Sequence, residues 1–181
     1  AMVEIARRFL REYYFKAGIG MTGANVAVAS TGTIGLVTNE GNARLSSTVP
    51  PVHIVLVGYE KLCDDFGQAL DIVRVLPKSA TGQIITSYTT WIKGRTPSHK
   101  NADGIKETHY VFLDNGRLAF LEHPKFKEAL KCIRCGSCAN ICPAYEMVGG
   151  RVYGDRYIGS IGLILTALYQ GDEAAKDILK M

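Results

Sequence analysis

The apolar positions of the chain keep a helical spacing at its start, turn strand-like through its middle and become helical again at its end. Over residues 2–17, Ala6, Phe9, Leu10, Tyr13 and Ala17 recur three and four positions apart, with Arg7, Arg8, Arg11 and Glu12 between them. This predicts an amphipathic helix packed on a core and stopped by Gly18 and Gly20. Residues 24–30 and 33–38 are short β-type runs joined by Thr31-Gly32, and residues 38–42 form a second small-polar turn. Residues 52–57 are almost continuously apolar, which predicts a strand buried on both faces, with His53 a satisfied core histidine. Leu62, Phe66, Ala69, Leu70 and Val73 predict a helix over 60–76 closed by Pro77, with Cys63 a buried, inert thiol on it. Residues 79–83 read as a turn, 84–92 as an alternating strand, 93–104 as an exposed loop, 107–113 as a last strand and 114–116 as a turn.

After His123-Pro124 the strand pattern ceases. A short helix is expected over 126–131, a glycine-rich mobile connection around Gly149, Gly150 and Gly154, and apolar helices over 158–169 and 172–180. The chain therefore reads as an α/β part over residues 1–123 followed by a small all-helical part over 124–181.

Composition narrows the function classes. The 181 residues are 47% hydrophobic and 21% charged, which excludes a disordered chain. A net charge of +4 without a concentrated basic, aromatic stripe argues against a nucleic-acid binder. No apolar run approaches the ~20 residues that span a bilayer, and the first residues lack the apolar core of a secretory signal.

Chemistry concentrates at one place. Cys132, Cys135, Cys138 and Cys142, followed by Pro143, make a C-x-x-C-x-x-C-x-x-x-C-P run holding four of the five cysteines. This spacing is an iron–sulfur ligand pattern and predicts a 4Fe-4S cluster. Structural zinc draws its ligands from two separated arms, and here all four thiols lie on one. A disulfide scaffold suits smaller secreted chains, so the free thiols place the protein in a reducing cytoplasm. In two-cluster ferredoxins the fourth cysteine of such a run serves the other cluster. Cys132, Cys135 and Cys138 would then hold one cluster and Cys142 a second, yet the chain has no second run. A longer parent chain, a partner chain, an incompletely ligated cluster or a homodimer exchanging Cys142 would each account for this. Lys131 and Arg134 flank the run, either raising the potential of a cluster, docking an acidic partner, or standing as solvated surface charges.

Several stretches resemble one known family. Thr22-Gly-Ala-Asn25, Thr31-Gly-Thr33-Ile, residues 36–45, Pro50-Pro-Val-His-Ile54, Ser79-Ala-Thr-Gly-Gln83, Leu113-Asp-Asn-Gly-Arg117 and the cysteine run are similar, in order, to the lactate-utilisation family of iron–sulfur subunits. The resemblance implies part of a sugar-phosphate isomerase/CoA-transferase-like α/β domain followed by a helical ferredoxin-like segment. It also implies that the family's subunit extends beyond this chain at both ends. It implies an electron-transfer role in oxidising L-lactate to pyruvate beside the other subunits of a complex, without catalytic residues of its own. Ser30 stands where the family commonly has a glutamate before Thr-Gly-Thr, which removes the carboxylate that covalent CoA-transferase-like chemistry would use. The polar turns read either as plain hairpin turns or, as the resemblance implies, as gathering Asn25, Thr31, Gly32, Thr33, Asn39, Glu40 and Asn42 at strand ends in a site for a small anionic metabolite. The alternative function is a metabolite-binding α/β module with a structural or sensing cluster.

Overall fold

The computed structural model describes residues 2–153 and 157–176. The elements in order are α1 (Met2–Lys16), β1 (Ile19–Gly23), β2 (Val26–Val28), β3 (Thr33–Thr38), α2 (Asn42–Thr48), β4 (Val52–Gly58), β5 (Leu62–Cys63), α3 (Phe66–Thr81), β6 (Tyr88–Ile92) and β7 (Glu107–Leu113). They continue with α4 (Arg117–Leu121), α5 (Pro143–Tyr153), α6 (Gly159–Gln170) and α7 (Asp172–Lys176). The chain forms two compact units, one of residues 1–73 and 86–113, the other of residues 74–85 and 114–181.

Among the described residues, the seven strands all fall in the first unit, in two sheets. One is fully parallel in the order β1-β4-β7; the other is mixed, in the order β5-β2-β3-β6. Strand β4 is central in the parallel sheet, and its alternation sets the core: His53, Val55 and Val57 are buried while Val52, Ile54 and Leu56 are half-buried. Val55 and Val57 pack against Ala27, Ile34, Leu36 and Ile92 of the second sheet, which joins the two sheets by one apolar layer. On the other side of the mixed sheet, Val26, Val28 and Cys63 meet Ala69 of α3. Burying a valine side chain fully stabilises by roughly 1.5–3 kcal/mol, so these two layers are the principal cohesion of the unit.

Several expectations are corrected. Strand β1 lies where glycines were expected only to end a helix. Its buried positions are Gly20 and Thr22, while Ile19 and Met21 face outward, so no apolar alternation marks it. A Cβ at Gly20 would stand 1.9 Å from the Ser46 carbonyl oxygen, so only glycine lets α2 pack against β1. Helix α2 follows directly from the second small-polar turn, with Gly41 in the left-handed conformation at its N-cap. Cys63 lies on β5 rather than on a helix, and α3 starts at Phe66 and runs through Pro77 to Thr81. Residues 79–81 are therefore helical: α3 carries Pro77 within it as a buried residue, and the Thr81 hydroxyl donates to the Pro77 carbonyl at 3.3 Å. Strand β6 begins only at Tyr88, and Ile84 and Ile85 are exposed. Helix α1 forms as expected but has no buried residue; Phe9, Leu10 and Tyr13 stay exposed, so its apolar stripe is not a core face.

The second unit is helical. Ala129, Leu130 and Leu165 form its buried centre, with Phe120, Cys132, Tyr157, Ile164, Leu168 and Tyr169 packed around it. The expected short helix over 126–131 is a 3-10 turn at Lys127–Lys131. The glycine connection is mostly helix α5, interrupted at Gly149, whose φ of 68° and ψ of 168° are not helical. Pro143 is its first residue, a position where proline's missing N–H costs nothing. The last helix is described from Asp172 to Lys176; its expected continuation through Ile178 and Leu179, and Gly154 and Arg156, lie outside the described residues. Among the described residues no helix is long and apolar enough to cross a membrane.

Candidate metal centre and polar pockets

The cysteine loop is shaped by two left-handed residues. Cys132 closes the 3-10 turn, Arg134 has φ 59°, and Gly136 has φ 76° at the start of a second 3-10 turn, Ser137–Asn140. Cys138 lies in that turn. Cys142 precedes α5, and its carbonyl accepts the Glu146 N–H at 3.0 Å. All four thiols are free; Cys132, Cys135 and Cys142 are half-buried and Cys138 is exposed. Four thiols on one short loop are the donor set that iron–sulfur chemistry requires. Among the described residues no group of three or more Cys, His, Asp or Glu side chains is gathered to hold a metal ion. The ligands are thus placed on one loop but not drawn to one point, and such sites are completed by the binding of the metal itself.

The loop is held by the corner that opens α6. The Cys138 thiol donates to the Ile158 carbonyl at 3.4 Å, and a Cβ on Gly159 would stand 2.8 Å from Cys138 Sγ. A thiolate has no proton to donate, so the Ile158 contact belongs to the free thiol. Behind this corner Thr166, fully buried, accepts the Tyr157 N–H at 3.1 Å and donates to the Gly162 carbonyl at 2.8 Å. The Tyr153 hydroxyl lies 3.9 Å from Cys142 Sγ; burial, and then this thiol, push the Tyr153 phenol upward.

Arg134 is not a solvated surface charge. It is half-buried, its guanidinium donates to the hydroxyls of Tyr157 and Tyr169 at 3.1 Å each, and it lies over both rings at 4.8 and 5.4 Å. Arg117, itself buried, covers the Tyr169 ring at 4.5 Å. A planar guanidinium suits this stacked, forked arrangement. Lys131 stays exposed and pairs with Glu128 at 2.6 Å.

The seven residues expected to form an anion site divide. Thr31 and Gly32 line one cavity, of about 620 Å³; Asn25 and Asn42 line another, of about 430 Å³. The three asparagine side-chain oxygens and the two threonine hydroxyls are occupied locally. Asn25 Oδ1 accepts the Val37 N–H at 2.8 Å, Asn39 Oδ1 accepts from the Ser87 N–H and the Thr86 hydroxyl at 3.2 Å each, and Asn42 Oδ1 accepts the Ala43 N–H at 2.8 Å. The Thr31 and Thr33 hydroxyls bond each other at 2.7 Å within the β2–β3 hairpin, with Thr33 buried, and Glu40 is exposed. The larger cavity also takes in Arg95, Lys106, Thr108 and Tyr110, which no local pattern singles out as polar-site residues.

His53 is only partly satisfied. Its Nε2 meets the Thr22 hydroxyl at 2.9 Å, but the buried Nδ1 has no partner. Burial, and then the nearby Lys106 charge, lower its pKa to about 4. Cys63 is buried, and burial followed by Asp65 and Asp64 raises its thiol pKa, as suits an inert cysteine.

The fold and the cysteine run define an α/β domain joined to a helical iron–sulfur segment. Residues 2–113 match the LUD domain and residues 128–180 the 4Fe-4S dicluster domain. The chain belongs to the LUD domain family, and an iron–sulfur cluster is its cofactor. It is 43% identical over 177 residues to lactate utilization protein B of Bacillus subtilis, covering 98% of this chain and 36% of the relative. It is 45% identical over 173 residues to the protein of that name from Shouchella clausii, covering 96% and 36%. It is 44% identical over 179 residues to the uncharacterized electron transport protein YkgF of Escherichia coli, covering 98% and 37%. The chain thus spans little more than a third of the curated relatives it matches. A crystal structure of a DUF162 family protein from Deinococcus radiodurans aligns with 55% of this chain and 54% of its own, at 22% identity and a TM-score of 0.40.

Proposed function

We propose that this chain is the iron–sulfur electron-transfer part of a complex that oxidises L-lactate to pyruvate. The observation that carries the reading is the C-x-x-C-x-x-C-x-x-x-C-P run inside a dicluster domain, in a chain whose relatives are named for lactate utilisation and electron transport. Oxidising a 2-hydroxy acid to a 2-oxo acid releases two electrons and two protons, and a 4Fe-4S cluster supplies a one-electron carrier for them. The chain's own residues hold that carrier. In this reading Cys132, Cys135 and Cys138 ligate one cluster, and Cys142 is the ligand offered to a second. Residues 1–123 form the α/β part and residues 124–181 the cluster-bearing part. Arg134, tied to Tyr157 and Tyr169, holds a cationic group beside the ligands and keeps the loop against α6. The remaining ligands come from chain beyond this sequence, from another subunit, or from a second copy.

The test is anaerobic reconstitution followed by electron paramagnetic resonance. With its partner subunits present, L-lactate should reduce the cluster and generate its reduced-state signal, and pyruvate should accumulate in proportion. Replacing Cys132, Cys135 or Cys138 by serine should abolish that signal. A cluster that stays oxidised in the assembled complex while pyruvate forms would refute the reading. Native mass with iron and sulfide counts separates the sources of the second ligand set.

A further inference from the structure

We propose that the Tyr153 hydroxyl donates a hydrogen bond to the Cys142 thiolate when Cys142 ligates an iron–sulfur cluster, and that this bond raises the reduction potential of that cluster. This rests on the proposed role of Cys142 as a cluster ligand. Tyr153 is 4% exposed. Its hydroxyl lies 3.9 Å from Cys142 Sγ and has no other hydrogen-bond partner among the described residues. In the free thiol either group can donate. A ligating cysteine has lost its proton, so only the phenol donates then.

The backbone is shaped for this contact. Tyr153 is the last residue of α5 and follows Cys142 by 11 positions. In an unbroken helix it would stand about 15 Å along the axis from Pro143, too far for a tyrosine side chain to return to Cys142. Gly149 breaks the helix with φ 68° and ψ 168°, a region open essentially to glycine alone. A Cβ at Gly149 would meet nothing within 4 Å, so close packing does not call for glycine there, whereas the change of chain direction does. Beyond the break the Tyr153 ring lies against Tyr145, with centroids 5.5 Å apart and planes tilted by 50°. At the neighbouring Gly150 a Cβ would stand 2.8 Å from the Tyr145 hydroxyl, so the second glycine leaves room for the ring that backs Tyr153.

Cys142 is tied to the same element, because its carbonyl accepts the Glu146 N–H at 3.0 Å in the first turn of α5. Both ends of the contact therefore belong to α5, and gathering Cys132, Cys135 and Cys138 around a metal does not pull them apart. The sign of the effect follows from charge. One-electron reduction of a cluster adds negative charge that its thiolate sulfurs share, and a fixed donor stabilises the more negative state. Tyr153 thus acts through Cys142 as a positioning residue, and its influence is confined to the cluster that Cys142 serves.

The experiment is a dithionite titration of the anaerobically reconstituted protein with its partner subunits, followed by electron paramagnetic resonance. Cys142→Ser identifies the signal of the cluster that Cys142 serves. Tyr153→Phe keeps the ring and removes only the hydroxyl. It should shift the one-electron equilibrium of that signal about three- to tenfold toward the oxidised form, a midpoint about 30–60 mV lower. A signal that Cys142→Ser leaves alone should keep its midpoint. Placing 3-fluorotyrosine at position 153, a more acidic phenol of nearly the same size, should raise the midpoint instead, and it decides the matter if Tyr153→Phe loses its cluster. An unchanged or raised midpoint in Tyr153→Phe would overturn the proposal, as would an unchanged or lowered one with 3-fluorotyrosine. So would an equal shift in a signal insensitive to Cys142→Ser, or the absence of any signal that Cys142→Ser alters. The titration uses no lactate, so an unmoved midpoint leaves the lactate reading standing, and a cluster that lactate fails to reduce leaves this proposal standing.

Discussion

Gly159→Ala tests whether the α6 corner positions the cysteine loop. The substitution adds one methyl group, and that methyl would stand 2.8 Å from Sγ and 2.9 Å from Cβ of Cys138. Neither distance is tolerated between unbonded carbon and sulfur or carbon, so either Cys138 or the corner must shift. Overpacking of this kind costs about 1–3 kcal/mol. Gly159 also has φ +80°, and an L-residue held in the left-handed region loses a further ~1–2 kcal/mol. The sum, roughly 2–5 kcal/mol, is a large share of the stability of a small helical unit. Gly116→Ala is the matched control: its φ is +81°, but its nearest contact is an ordinary 3.6 Å to Leu168, so only the backbone cost of about 1–2 kcal/mol applies. The assays are guanidinium unfolding and iron and sulfide content after anaerobic reconstitution. Gly159→Ala should lower the midpoint clearly more than Gly116→Ala and lose most of its iron, while Gly116→Ala keeps its iron. Equal midpoints and wild-type iron content in Gly159→Ala would refute the claim that this corner sets the position of Cys138.

Three further outcomes are expected. Arg134→Ala removes the hydrogen bonds to the Tyr157 and Tyr169 hydroxyls and the contacts with both rings and should cost about 2–3 kcal/mol, read as a lower melting temperature and faster iron release to a chelator; Arg134→Lys should recover only part of this, and a neutral effect of both would contradict the clamp. His53 has its folded pKa lowered from 6.5 to about 4. The unfolded chain therefore binds the proton first as pH falls, so the stability from neutral His53 is full above pH 6.5 and is lost progressively toward pH 4, by about 3 kcal/mol in all; denaturation midpoints of wild type and His53→Gln measured across that window should converge at its acid end, and parallel curves would refute it. Cys63, buried and with its thiol pKa raised, should resist a thiol reagent in the native cluster-free chain while the other four cysteines react, and Cys63→Ala should keep full iron content.

The cysteine run was readable because cluster ligation is encoded by short-range spacing on one loop. Strand β7 and helix α6 were readable because their apolar positions follow a single period. Strand β1 was not, since it buries Gly20 and Thr22, and close approach of α2 rather than hydrophobicity decides its inner face. Helix α1 was legible as a helix but not in its packing, because amphipathicity shows which face is apolar and not whether anything covers it. Among the polar turns, Thr31 and Gly32 were noticed for their composition, but Asn25 and Asn39 turn their side-chain carbonyls to local N–H groups, which composition alone does not distinguish from ligand donors.

By itself, then, the order of residues determined the chemistry: four thiols at fixed spacing, a change from strand to helix periodicity, and a family likeness running through nearly the whole chain. Tertiary structure decided which groups meet. Lys106, Thr108 and Tyr110 lie far along the chain from Thr31 and Gly32, and only the sheet arrangement brings them around one cavity. Arg134 reads as a surface charge beside a cysteine until Tyr157, just before α6, and Tyr169 on it are placed under it. The physical reason is the same in both cases. Spacing within a loop is a local property of the backbone, whereas burial, orphaned hydrogen-bonding groups and uncompensated charge exist only once distant segments have closed around them.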